Sequence, residues 1–191
     1  GLYIGKANFI MENCKVIANA ATLAAGCYIS PNAEVTFRQC VFQNNAADSN
    51  GGGIWNAGGT VYMYDCVVAQ NTSGQQAAGY YSIDSGGTIT VSRIYNTAFY
   101  ENDCTQNNEK RSGGALYIRA GSDAVFVNCS FTGNLYTPNI TEEVAFYNNG
   151  LVGRSYSKTG TGKLIIDGAV VVNSVAEFVA LAKADIEAGV T

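Results

Sequence analysis

The side chains that could carry out catalysis are few in this sequence, and histidine is absent. The 191 residues include 15 Asp and Glu, 11 Lys and Arg and no His, so an enzyme would rely on carboxylates, Arg, Lys or Tyr. A glycosidase needs two carboxylates about 5 to 9.5 Å apart. The acids closest in sequence are Glu101 with Asp103 and Glu142 with Glu143, and we interpret both pairs as solvated charges. The sequence therefore predicts a protein that is not an enzyme.

A row of aromatic residues is the stronger candidate for binding. These residues share one position after a short Gly- and Ala-rich block, with Ile29 completing the row: Tyr3, Trp55, Tyr81, Tyr117 and Tyr147. The adjacent row is also apolar: Leu2, Tyr28, Ile54, Tyr80, Leu116 and Phe146. Because side chains alternate along a strand, we expect the Ile54 row inside and the Trp55 row outside. An external aromatic row could stack on sugar rings or contact a protein; the alternative is stacking that only stiffens the molecule.

These residues belong to a repeat. A nine-position pattern, with an apolar residue first and Asn last, occurs six times: 11–19, 37–45, 63–71, 94–102, 126–134 and 165–173. The terminal Asn residues are spaced 26, 26, 31, 32 and 39 residues apart. The repeating unit is thus about 26 residues long, with insertions that grow toward the C-terminus.

Each unit favours short strands that stack on their copies. Apolar residues alternate with polar ones, as at Val35 and Phe37, and turn residues separate the short runs. A unit of this length has no room for crossover helices, so we expect each strand to pair in parallel with its copy in the next unit. This predicts an all-β protein, a parallel β-helix of about six coils over residues 1–173.

Two rows of polar residues would form the corners of the coils. Asn and Asp tolerate positive φ, and one corner row would be Asn13, Gln39, Asp65, Asn96, Asn128 and Asp167. The other would be Asn19, Asn45, Asn71, Asn102, Asn134 and Asn173. Stacked amides can also hydrogen-bond along such a column as an asparagine ladder, so we assign both rows a structural role.

The two ends of the sequence lead to separate expectations. Gly1 to Ile4 aligns with Ala115 to Ile118, which suggests that the chain starts inside a coil, with a preceding coil or a partner subunit beside it. Residues 174–191 begin with a capping box at Ser174 and Glu177. We expect a helix from about 175 to 188 that caps the last coil; the alternative is a linker.

The cysteines look structural. Cys14, Cys40, Cys66 and Cys129 share one repeat position, whereas Cys27 and Cys104 align with no other cysteine. A column of parallel side chains fits disulfide geometry poorly, so we expect reduced, packing side chains. Without CxxC or His spacing, we expect neither a metal nor a cofactor. Asn139, followed by Ile140 and Thr141, is a candidate glycosylation site.

Two blocks carry a resemblance to a known family. Gly-Gly-Ala-Leu at 113–116 and Phe-Thr-Gly-Asn at 131–134 resemble the repeats of chlamydial polymorphic outer membrane proteins, which pair a GGA[ILV] block with an FxxN block. The string 51–61 also resembles bacterial surface proteins with this repeat class. The resemblance covers residues 1–173 and implies a right-handed parallel β-helix displayed outside the cell, often in adhesins.

Composition limits the classes of partner. A net charge of -4 with 11 Lys and Arg argues against nucleic acid, and no apolar stretch is long enough for a membrane helix. We therefore expect an extracellular or cell-surface repeat module, a structural stalk or an adhesin, whose partners are flanking coils, neighbouring subunits, a glycan or a surface protein. The alternatives are a fragment of a polysaccharide lyase or hydrolase, and a subunit that stacks end to end.

Overall fold

The computed structural model describes residues 1–104, 113–119, 121–135, 156–158, 163–166 and 169–170. Every regular element in these residues is a β-strand, so the predicted all-β class is confirmed. The helix expected near the C-terminus lies outside the described residues. None of the described residues forms a helix long and apolar enough to cross a membrane.

The strands are short, as the closely spaced turn residues of each unit require. In chain order they are β1 (Leu2–Ile4), β2 (Asn8–Glu12), β3 (Lys15–Ile17), β4 (Ala20–Ala21), β5 (Cys27–Ile29), β6 (Glu34–Arg38), β7 (Val41–Gln43), β8 (Ala46–Ala47), β9 (Ile54–Asn56), β10 (Thr60–Tyr64), β11 (Val67–Ala69), β12 (Thr72–Ser73), β13 (Tyr80–Ser82), β14 (Thr90–Tyr95), β15 (Ala98–Tyr100), β16 (Leu116–Ile118), β17 (Ser122–Val127), β18 (Ser130–Thr132), β19 (Tyr156–Lys158), β20 (Lys163–Ile166) and β21 (Ala169–Val170).

Equivalent strands of successive units pair with one another in four sheets. The first sheet has the order β1-β5-β9-β13-β16-β19, and the second has β2-β6-β10-β14-β17-β20-β21. The third is β18-β15-β11-β7-β3, and the fourth is β12-β8-β4. Every strand pair among the described residues is parallel except β20 with β21, which is antiparallel.

The core lies between the sheets and is built by alternation along each strand. In the second sheet Val35 and Phe37 of β6 and Val61 and Met63 of β10 are fully buried. Glu34 and Arg38, at the two ends of β6, are exposed. In the third sheet the middle residue of each strand faces the core, and Phe42, Val68 and Phe99 have no exposed surface. Equivalent core residues in the first unit, including Leu2, Phe9 and Met11, are only half-buried.

The first predicted corner row adopts the expected backbone. Asn13, Gln39, Asp65, Asn96 and Asn128 all have φ between 50° and 54°. Asp167, the last member, lies outside the described residues. Phe126 pairs with Ile166 and not with Ile165, so the sixth copy of the pattern is out of register with the prediction by one residue. Some side chains of this corner row are also hydrogen-bonded to the equivalent side chain of the next unit. Asn128 Nδ2 donates to Asn96 Oδ1 at 2.9 Å, and Asn96 Nδ2 donates to Asp65 Oδ1 at 3.1 Å.

The second row differs from the prediction, because the corner falls one residue earlier. The residues with positive φ are Ala18, Asn44, Gln70, Glu101 and Gly133, each directly before a repeat asparagine. The asparagines themselves point inward: Asn45, Asn71 and Asn102 have no exposed surface. A polar side chain buried to this degree requires hydrogen-bond partners, and the column supplies them.

The buried asparagines form a continuous ladder from Asn19 to Asn134. From Asn45 onward, each Oδ1 accepts two hydrogen bonds from the preceding asparagine: at Asn71 the donors are Asn45 Nδ2, at 2.9 Å, and the Asn45 backbone N–H, at 3.0 Å. The same pair of bonds links Asn19 with Asn45, Asn71 with Asn102, and Asn102 with Asn134. Each Nδ2 from Asn45 onward also donates to a carbonyl of the preceding unit, such as Phe42 O at 3.0 Å from Asn71. Asn173 lies outside the described residues.

The cysteines are all free thiols. Cys40, Cys66 and Cys129 are buried, and each Sγ contacts the carbonyl two residues before it, as Cys66 does at Tyr64 O at 3.2 Å. Thr97 takes the equivalent place in its unit and donates through Oγ1 to Tyr95 O at 3.0 Å. The column therefore consists of small side chains that can donate weakly to the nearby backbone.

Buried Cys66 and Tyr80 make the fold sensitive to alkaline pH. Burial raises the pKa of the Cys66 thiol to about 11 and the pKa of the Tyr80 hydroxyl to about 12, from ordinary values of 9.0 and 10.0. The unfolded chain releases these protons first, so the stabilising contribution is complete below pH 9 and is lost as the pH rises from 9 to 12. Urea unfolding midpoints should fall over this range. The urea midpoint of Cys66→Ala should decline less steeply than that of the wild type between pH 9 and 11. Equal slopes for the two proteins would contradict a contribution from the Cys66 thiol.

Candidate functional site

The outward face of the first sheet carries an uninterrupted aromatic row. The register pairs Tyr3 with Tyr28, Tyr28 with Trp55, Trp55 with Tyr81, and Tyr81 with Tyr117. Neighbouring ring centroids are 5.4, 5.7, 5.0 and 5.4 Å apart along the row. These distances lie within the range of favourable aromatic contacts, so the rings stabilise the packing of one unit on the next.

One member of the row differs from the prediction. Tyr28, and not Ile29, continues the row, because Ile29 pairs with Ile4 and Asn56 on the buried side. The inward row is accordingly Leu2, Cys27, Ile54, Tyr80 and Leu116. Compared with the third unit, the second unit has one residue fewer before this strand and one residue more after it. The repeat length is therefore unchanged, although the strand is shifted by one residue.

Access to the row changes along its length. Tyr3 is 71% exposed and Tyr28 and Trp55 are half-buried, whereas Tyr81 and Tyr117 are 1% and 6% exposed. Tyr81 and Tyr117, both predicted as binding residues, are therefore buried and pack with Ala77 and Ile83. We call Tyr3, Tyr28 and Trp55 the exposed aromatic strip. Tyr117 pairs with Ser157, so the position next to Tyr117 that was predicted for Tyr147 belongs to Ser157. Tyr147 itself lies outside the described residues, as does Asn139.

The Gly- and Ala-rich block positions each aromatic residue. Its first residue turns the chain with a positive φ: Ala24, Gly51, Ala77 and Gly113 have φ values of 50°, 71°, 51° and 74°. The aromatic residue follows four positions later in every case. The third residue of the block, Gly53 for example, lies against the backbone of the next unit. The block thus sets both the turn and the close approach that bring the rings into contact.

Hydrogen bonds anchor the buried part of the row. Tyr81 Oη donates to Gln76 Oε1 at 3.0 Å and accepts from Arg119 Nη1 at 3.2 Å. Burial raises the pKa of the Tyr81 hydroxyl, while the bond from Arg119 acts in the opposite direction. The same bond raises the pKa of Arg119. In the exposed strip, burial raises the pKa of Tyr28, and the neighbouring Tyr3 adds to this. The hydroxyls of Tyr28 and Tyr81 are therefore neutral, and the guanidinium of Arg119 is charged, near neutral pH.

A second aromatic pair lies on the outward face of the second sheet. Tyr64 and Tyr95 stack with centroids 5.3 Å apart and planes inclined by 8°. The Arg38 guanidinium lies 5.6 Å from the centre of the Tyr64 ring, and Glu12 lies 3.6 Å from Arg38. Sequence analysis missed this pair. Its signal is positional, because Arg38, Tyr64 and Tyr95 each directly precede a residue of the first corner row.

The described carboxylates on the strands of the second sheet do not pair with one another in the register. Glu34 lies between Asn8 and Thr60, and Asp123 lies between Val91 and Lys163, in the same row of the second sheet. Glu101 Oε2 accepts from Gln70 Nε2 at 2.8 Å. Within the described residues, no cluster of three His, Cys, Asp or Glu side chains could hold a metal ion. The arrangement of these groups is that of surface charges on a repeating scaffold.

No protein-family model, curated protein or solved structure matches this chain.

Proposed function

We propose that the protein is a right-handed parallel β-helix that acts as a rigid, non-enzymatic module at the cell surface. The in-register parallel pairing of successive units in four sheets supports this architecture, and parallel strand connections are overwhelmingly right-handed. The resemblance to chlamydial polymorphic outer membrane proteins supports the extracellular location. Such a scaffold suits a stalk or an adhesin, because every unit is fixed to the next by backbone, amide and aromatic contacts.

The exposed aromatic strip is the recognition surface of this module. Tyr3, Tyr28 and Trp55 give an aromatic surface on a sheet that holds them at a spacing of about 4.8 Å per strand. Large aromatic side chains that combine an apolar body with a polar tip are favoured in binding surfaces. The observation that carries this proposal is that Tyr3 is exposed and Tyr28 and Trp55 are half-buried, whereas Tyr81 and Tyr117 in the same row are buried.

Binding by the strip can be tested with two matched variants. The wild-type protein is incubated with arrays of immobilised glycans and extracellular proteins, beside Tyr3→Ser/Tyr28→Ser/Trp55→Ser and the control Tyr64→Ser/Tyr95→Ser. Both variants remove outward aromatic residues, and circular dichroism checks that both remain folded. We expect the strip variant to lose at least 10-fold in affinity and the control to bind as wild type. Equal binding by both variants, or no binding by the wild type, would contradict a role for the strip.

A further inference from the structure

Two buried polar atoms beside the exposed aromatic strip have no hydrogen-bond partner. They are the indole Nε1 of Trp55 and the side-chain Oδ1 of Asn50. Nε1 carries a hydrogen and can only donate, whereas Oδ1 can only accept. Leaving such groups unpaired costs about 1–3 kcal/mol each, so the two atoms mark a place where the fold has left hydrogen-bonding capacity unused.

The next unit shows one way in which this pair of positions is satisfied. Asn50 is paired with Gln76, and Trp55 is paired with Tyr81. In that later unit Tyr81 Oη donates to Gln76 Oε1 at 3.0 Å. Asn50 is one methylene shorter than glutamine, and the indole N–H lies at the side of its ring and not at the tip. The equivalent donor and acceptor are therefore present in the Trp55 unit, but they are not bonded.

The Trp55 ring also breaks the regular stacking of the row. The planes of Tyr3 and Tyr28 are inclined by 9°, and those of Tyr81 and Tyr117 by 2°. Trp55, by contrast, is inclined by 65° to Tyr28 and by 52° to Tyr81. Its ring is only half-buried, and parallel stacking does not hold it on either side. Because Nε1 is buried, a ligand reaches the indole N–H only if this side chain rotates.

We infer that Trp55 and Asn50 form a hydroxyl-binding subsite of the exposed aromatic strip, and that the ligand is a saccharide. A hydroxyl group is both a donor and an acceptor, so one sugar hydroxyl accepts a hydrogen bond from Trp55 Nε1–H and donates one to Asn50 Oδ1. The neighbouring Tyr28 ring contacts the apolar part of the sugar. The rise per residue of an extended β-1,4-linked glycan is close to the strand spacing of about 4.8 Å, so successive sugars meet successive units. This inference rests on the proposed function of the strip.

The only tryptophan of the chain provides a direct readout. Cellohexaose and chitohexaose are the probes, and each is titrated into the wild-type protein while Trp fluorescence is recorded. A new hydrogen bond at Nε1 should change the emission of Trp55 in a saturable way. Calorimetry then gives the affinity of Trp55→Phe, which keeps an aromatic ring but lacks the N–H. We expect its affinity to fall about 3- to 10-fold, the effect of one hydrogen bond, whereas the control Tyr95→Phe should bind as wild type.

Asn50→Gln separates ligand binding from a purely structural role. The longer side chain should reach Trp55 as Gln76 reaches Tyr81, so the internal bond forms, the melting temperature rises and affinity for the sugar falls. A higher melting temperature with unchanged affinity would overturn the hydroxyl subsite, as would wild-type affinity in Trp55→Phe. Absence of a saturable fluorescence change with both probes would also overturn it.

The outcomes distinguish this inference from the proposed function. If the serine variant of the strip loses binding but Trp55→Phe and Asn50→Gln bind normally, the strip is a recognition surface and the subsite assignment alone is wrong. If the strip variant binds like the wild type, the proposed function fails, and the subsite inference fails with it.

Discussion

Replacing Asn71 by alanine is expected to lower the free energy of unfolding by about 3–5 kcal/mol. The side chain takes part in four hydrogen bonds, to the backbone and side chain of Asn45, to Phe42 O and to Asn102 Oδ1. Its removal leaves the Asn45 backbone N–H without its partner in a fully buried site, weakens the bonding of the other groups and opens a cavity. Small domains are typically stable by about 5–15 kcal/mol, so this loss is a large part of the total. Urea unfolding followed by circular dichroism measures it.

Asn19→Ala is the matched control at the end of the ladder. Asn19 is half-buried, and its Oδ1 accepts a hydrogen bond from the Gly1 amino group at 2.8 Å in an exposed site. Because water can replace this partner, we expect the loss of Asn19 to cost about 1 kcal/mol or less. Equal effects of the two substitutions would contradict a cooperative buried column.

Placing a methyl group on Gly53 is expected to cost about 3 kcal/mol. A Cβ at this position would lie 2.6 Å from the backbone oxygen of Gly79 and 3.0 Å from Asn71 Nδ2. The Gly79 oxygen already accepts the hydrogen bond of Ile54 N–H at 2.9 Å, so the backbone cannot move away without weakening the sheet. The change therefore disturbs both the first sheet and the asparagine ladder. Thermal and urea unfolding of Gly53→Ala would record the loss.

Gly5→Ala is a suitable comparison, because the nearest atom to its added Cβ is Tyr3 Cε1 at 3.8 Å. We expect this variant to unfold within about 0.5 kcal/mol of the wild type. A Gly53→Ala protein as stable as Gly5→Ala would show that successive units are not in the close contact described here.

Much of the architecture could be predicted from the repeat, because equivalent residues in neighbouring units perform equivalent tasks. The alternation at Val35 and Phe37 predicted strands, and the polar residues from Asn13 to Asn128 predicted a left-handed corner. The second corner was misplaced by one residue. The residues at this corner share no chemical character, so the sequence gives no signal for it: they are Ala18, Asn44, Gln70, Glu101 and Gly133. The corner was therefore assigned to the repeated asparagines that directly follow these residues.

The candidate site was less predictable for three physical reasons. The row shifted at Tyr28 because a residue missing before its strand is compensated after it, and a count of repeat spacing cannot detect such a change. Burial of Tyr81 and Tyr117 depends on what packs over the sheet, whereas the repeat specifies only which face a side chain occupies. The unpaired atoms of Asn50 and Trp55 depend on side-chain length and ring geometry, which a pattern of residue classes does not contain.

The register of successive units is tested most directly by NMR of the protein with 15N labelling. Nuclear Overhauser effects between the side-chain amide protons of Asn45 and those of Asn71, and between those of Asn71 and Asn102, are expected, because each pair shares a hydrogen bond of 2.9 Å. These side-chain protons should also exchange slowly with solvent, since all three residues are fully buried. Rapidly exchanging amides with no contacts between Asn45 and Asn71 would contradict the stacking on which the proposed function depends.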